Sequence, residues 1–109
     1  ARAAGSLEAT LLLGHARRQA QHPAEALGLY DEVLRGDANE GQRRECEIGL
    51  FALLASPSMG ESAVMALALH FGHEIGPRVA AARARNPRGW HLKRRLRNLA
   101  ALLETLPND

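Results

Sequence analysis

An all-α fold of antiparallel helical hairpins, about six helices in all, is what the sequence predicts, on three observations. Ala and Leu dominate the 46% apolar content while aromatics are only 4%. That mixture packs helices closely and lacks the β-branched and aromatic residues that sheets need. Apolar residues recur with the period of a helix that buries one face. Turn signals at "QHP", "RGDAN", "SPSMGES", "GP" and "NPRG" cut the pattern into short lengths.

The first helix is expected to open near Ser6, an N-cap residue type, with Glu8 in its first turn, and to end before Pro23. It carries Leu7, Leu11 or Leu12, Leu13, Ala16 and Ala20. The second opens at "PAEA", where the missing N–H of Pro23 costs nothing. Ala26, Leu27, Tyr30, Val33 and Leu34 form its apolar face, and Gly36 stops it. Asn39 caps a third helix to about Ala55, with Cys46, Leu50, Leu53 and Leu54 on one side. A fourth runs from about Ser62 to Ile75 and is apolar nearly all round ("AVMALAL"), so it is expected to be the most buried; Gly76 and Pro77 end it. A short helix, "PRVAAARAR", precedes "NPRG". The last helix, Trp90 to about Leu106, places Leu92, Leu96, Leu99, Leu103 and Leu106 in a narrow seam. That seam is expected to lie on the fourth helix; the alternative is pairing with a second copy as a homo-oligomer.

Leu7 to Glu40 thus holds two helices in 34 residues, each marginal alone. Back to back they bury their inner faces and leave an apolar side for a further hairpin, the logic of a helical solenoid. The residues resemble a tetratricopeptide repeat (TPR). With Leu7 as the first repeat position, Leu13 and Gly14 fall on the Leu-Gly pair and Ala26 on the small residue where the helices touch, with Leu27 beside it. Tyr30 falls on the aromatic of the second helix, Leu34 on the late aliphatic and "DAN" on the closing turn. Thr10, Arg17, Pro23 and Ala38 depart from the pattern.

The resemblance implies a short TPR-like right-handed solenoid over residues 1–109 as one domain. It would comprise a repeat at 7–40, a degenerate repeat at 41–76 with Gly49 and Ala63 as its small contact residues, and a terminal hairpin of capping helices at 77–106. It also implies a non-catalytic adaptor that holds a protein partner, a peptide or a helix, on the surface lined by the first helix of each hairpin. By register that groove would contain Glu8, Leu11, His15, Arg18 and Gln19, then Arg43, Cys46, Leu50 and Leu53, with Leu50 and Leu53 expected to serve the core instead. Bacterial secretion, envelope or exopolysaccharide export assemblies are contexts the family implies.

Charge is unevenly placed. Residues 1–77 hold six Arg against ten acids, whereas residues 78–103 hold eight cations and no acid. Within that stretch Arg88, Trp90, Lys93, Arg94 and Arg97 form a basic surface beside or opposite the leucine seam. A solvated capping face, with Trp90 packed on the previous hairpin, is the first expectation, and contact with an acidic protein the second. Nucleic acid or an anionic membrane ranks third, and a nucleic-acid-binding helical domain is the alternative to the adaptor.

No nucleophile set, Walker loop or Gly-rich strand-to-helix turn is present, so no enzyme and no cofactor are expected. His70, His73 and Glu74 share a helical face, but zinc proteases use other spacings, and His15, His22 and His91 are scattered. No metal is expected. Cys46 reads as a small buried hydrophobe. Thirteen of the fourteen cations are Arg, which with the Ala and Gly content suggests a GC-rich bacterial genome. A single Cys, no apolar run of membrane-spanning length and a start at Ala1 without a signal-peptide core lead to one further expectation: a cytoplasmic piece of a larger protein.

Overall fold

The computed structural model describes residues 6–107, and among them every regular element is helical. These elements are α1 (Ser6–Gln19), α2 (Pro23–Arg35), α3 (Glu40–Leu53), α4 (Gly60–Phe71), a 3-10 turn (Gly72–Ile75), α5 (Gly76–Ala84) and α6 (Trp90–Thr105). They form two compact units that divide between Leu53 and Leu54.

In the first unit, α1 ends in a turn whose carbonyls are recaptured locally. The N–H of His22 donates to Arg17 and that of Gln21 to Arg18, with Gln21 in the left-handed region at φ 67°. This double bond closes the helix and lets Pro23 start α2. A reciprocal pair opens α3: Asn39 Oδ1 accepts from the N–H of Gln42, and Gln42 Oε1 accepts from the N–H of Asn39. Ser6, the expected N-cap, is a residue of α1, and its hydroxyl has no hydrogen-bond partner among the described residues.

Tyr30 is the wedge of this unit. It is fully buried on α2, beside Ala26 and Val33. Its ring lies against Gly14 of α1, where a β-carbon would stand 3.1 Å from Cε1, and against Gly49 of α3, where a β-carbon would overlap the phenol. Two glycines on two helices therefore admit one ring. Because α3 packs on both α1 and α2, the unit is a hairpin with a further helix packed against both of its members.

In the second unit, α6 packs on α4 and α5. Leu96, Leu99 and Leu103 are buried, while Leu92 and Leu106 at the ends of the seam are half-buried. The fourth helix ends earlier than expected. Gly72, at φ 55°, breaks it after Phe71, and Gly76 and Pro77 open α5 rather than closing α4. Seven of its twelve residues are buried, yet Met65 and Leu69 are 61% and 73% exposed. An apolar run thus does not mean burial on every side, because one helix meets neighbours over only part of its circumference.

The turn before α4 is held by Arg95 of α6, which is almost fully buried. Its Nη1 donates to the carbonyls of Leu54 (3.0 Å) and Ser56 (2.8 Å), and its Nη2 to that of Pro57 (3.3 Å). Its Nε donates to Glu61 Oε2 at 3.3 Å. A β-carbon on Gly60 would overlap this guanidinium. Hydrogen bonds from Arg95 and then Arg94 hold the Glu61 carboxyl below its ordinary range.

Candidate interaction surfaces

The residues expected to line a groove divide between the interior and the surface of the first unit. Leu11 is 2% exposed and cannot reach a partner. It lies on the inner stripe with Gly14, and the 100° turn per residue puts Leu12, 59% exposed, on the outer face instead. Cys46, Leu50 and Leu53 are likewise buried. Glu8 and Gln19 are exposed, and Arg43 is half-buried and partnered within the fold.

His15 and Arg18 face Tyr30. Arg18 Nε donates to the Tyr30 hydroxyl at 3.0 Å, and His15 Nδ1 lies 2.7 Å from the same oxygen. His15 Nε2 is 3.2 Å from Glu45 Oε1 on α3. Arg18 can only donate and a carboxylate can only accept. The neutral arrangement that satisfies each atom therefore has Tyr30 donating to Nδ1 and Nε2–H donating to Glu45. This chain ties three helices together. Burial raises the Tyr30 hydroxyl above its ordinary value, with the Arg18 hydrogen bond opposing it.

Glu8 accepts weakly from Gln42 Nε2 at 3.4 Å. Since Glu8 reaches Gln42 and His15 reaches Glu45, α1 and α3 run in the same sense and share one outer face. On it Leu12 sits one turn before His15, and Ile48, 48% exposed, one turn after Glu45. Two aliphatic side chains thus stand in water among Glu8, His15, Gln19 and Glu45. Neither Tyr30 as a polar hub nor Glu45 was legible in the sequence, because the bonds that define them connect residues 12 to 30 positions apart.

The basic surface of the second unit is partly built and partly absorbed. Trp90 is 65% exposed, so it does not pack on the previous hairpin as expected. On α6 it meets the His91 ring edge-on, centroids 5.1 Å apart, and the Arg94 guanidinium 4.9 Å from its ring centre. Arg94 also donates to Glu61 at 3.0 Å, a carboxylate it shares with Arg95. Arg88, Lys93 and Arg97 are exposed. Lys93 and Arg97 line a cleft of about 220 Å³ at the α5–α6 turn with Arg83, Asn86, Pro87 and Leu96. No carboxylate is among the described residues that line it. A neighbouring groove of about 430 Å³ shares Arg83 but is bordered by Glu104 and floored by Val79 and Leu103.

His70 and His73, which the sequence places on one helical face, both have partners within the fold. His73 Nε2 is 3.1 Å from the carbonyl oxygens of both Leu106 and Pro107, where it closes the C-terminus of α6. His70 is half-buried and has its own partner. Among the described residues no group of three His, Cys, Asp or Glu is placed to hold a metal ion. No helix there is long and apolar enough to cross a membrane.

Cys46 is a free, fully buried thiol whose Sγ lies 3.8 Å from the Tyr30 carbonyl. Burial pushes it up from 9.0 to about 12, against a smaller lowering by Arg43. Thiol reagents are expected to leave the native protein unlabelled near pH 8 and to label it in denaturant. The same burial couples to stability. The unfolded chain loses the thiol proton near pH 9 while the folded chain keeps it to about pH 12. The contribution is therefore complete below pH 9 and is lost as pH rises towards 12, with Tyr30 acting in the same direction. Denaturation midpoints at pH 8 and pH 10.5 check this, the latter being lower.

Compared with protein-family models, curated proteins and solved structures, the chain gives no match.

Proposed function

We propose that the chain is a non-catalytic protein-interaction module of tetratricopeptide type, with α1–α2 as its first repeat and the shared outer face of α1 and α3 as its binding surface. A partner peptide or helix docks there. One observation carries this reading: Leu12 and Ile48 are exposed on two helices that run in the same sense, bracketing a fixed His15–Glu45 pair. Two aliphatic anchors on a rigid floor supply affinity, while the carboxylates Glu8 and Glu45 favour a partner that also carries cations. The Tyr30 wedge supports the reading as well, because it holds the floor in one geometry and lowers the ordering cost of binding. A place in a bacterial secretion, envelope or exopolysaccharide export assembly is the context this reading carries.

A random peptide library displayed on phage and selected on the full chain tests the proposal. Enriched peptides are expected to combine an aliphatic or aromatic residue with Lys or Arg. They should bind the double variant Leu12→Glu, Ile48→Glu at least ~10-fold more weakly, while its helical circular dichroism and melting stay near wild type because both side chains are exposed. No enrichment, or equal binding by the variant, would remove the surface from consideration.

A further inference from the structure

The cleft at the α5–α6 turn collects Arg83, Lys93 and Arg97 with no carboxylate among the described residues that line it. Three like charges held in one concavity repel each other, so the empty cleft is electrostatically unfavourable and an anion entering it is drawn in. Its size, about 220 Å³, falls below that of clefts that enclose whole small molecules and suits a phosphate-sized group.

Trp90 adds a second, independent feature. On α6 the successive 100° rotations put Trp90, Lys93, Arg94 and Arg97 within one stripe, about 150° round from the buried leucine seam. The indole is 65% exposed. Arg94 lies against its ring, which orders the platform. An exposed aromatic beside a run of cations is the combination that tracks a single strand: cations take the phosphates and the ring takes a base. A lipid surface fits less well. Trp90 is the one large apolar side chain exposed on α5 and α6, and one indole offers little area to insert among acyl chains.

We propose that the outward face of α6 and the α5–α6 turn bind single-stranded nucleic acid, with phosphates seated on Arg83, Lys93 and Arg97 and a base stacked on Trp90. The site is separate in residues from the α1–α3 surface, and its test is independent of peptide binding.

Trp90 is the chain's single tryptophan, so its intrinsic fluorescence reports on the site directly. Titrating the full chain with oligothymidylate and oligouridylate of about 12 nucleotides should quench it saturably. Three neutralised phosphates predict that affinity falls about 20-fold between ~50 and ~200 mM salt, following a slope near −0.7 per contact. The double variant Lys93→Gln, Arg97→Gln replaces exposed side chains. It should bind more weakly and lose only about 3-fold over the same salt range, with unchanged helical dichroism. Polyglutamate and vesicles containing phosphatidylglycerol are the competing ligands. Failure of both oligonucleotides to quench overturns the proposal. So does polyglutamate competing as well as the oligonucleotide, or a blue shift that only the vesicles produce.

Discussion

Tyr30→Ala is expected to destabilise the first unit by about 3–5 kcal/mol, the range for removing a fully buried aromatic. Every feature around Tyr30 points to a large effect. The ring is completely buried, Gly14 and Gly49 are shaped to it, and its hydroxyl gathers Arg18 and His15. Glycine walls cannot collapse inward to refill the space, so the cavity term should be near its maximum. The measurement is a urea midpoint, together with amide exchange in α1, α2 and α3, which should accelerate. Two companion variants divide the effect. Tyr30→Phe keeps the wedge and loses only the polar chain, whose other members are partly solvated, and should cost about 1 kcal/mol. Gly49→Ala keeps the ring but drives a methyl into it, at roughly 1–3 kcal/mol or more. A Tyr30→Ala protein within about 1 kcal/mol of wild type would show that the ring does not hold the three helices together.

Arg95→Met should cost the second unit about 2–4 kcal/mol, although methionine replaces the aliphatic stem and is apolar at a buried position. The guanidinium joins α6 to the turn before α4 through three carbonyls. The carbonyl of Ser56 retains a bond from the N–H of Gly60. That of Leu54 loses its charged donor while buried, and a buried acceptor left without a partner costs about 1–3 kcal/mol. The ion pair matters less. Glu61 is 54% exposed at its side chain, so Glu61→Gln should change stability far less than Arg95→Met, and less still in high salt. Thermal melts of the two variants at low and high ionic strength separate the roles. Equal losses in both would mean that the charge pair, rather than the carbonyl clamp, fastens the turn.

Much of this fold could be read in the amino-acid order because its signals are local. Pro23, Gly36, Asn39, Gly89 and the apolar spacing each act within about one turn of helix, and the helices begin or end close to where those residues predict. Gly72 shows the limit. It lies inside an apolar run that otherwise continues, and only its positive φ reveals that the helix stops there. The candidate sites were less legible. Leu11 and Leu12 are neighbours of the same chemistry, and which one reaches water depends on the angle at which α1 meets α2 and α3. Arg95 sits in a run of cations that reads as uniformly solvated, yet it is buried among carbonyls 38 to 41 residues away.

The sequence alone determined that the chain would be helical, roughly where the helices would lie apart from the end of the fourth, and that its charge would separate into an acidic majority and a basic end. Those properties follow from backbone preferences and composition, which need no distant partner. Only the tertiary structure decided that Tyr30 is shared between two glycines, that Arg95 is a clamp, and that Leu12, Ile48 and Trp90 are left in water. Each of these depends on which residues far apart in the chain become neighbours, and burial and hydrogen-bond partnership are properties of that neighbourhood rather than of the residue itself.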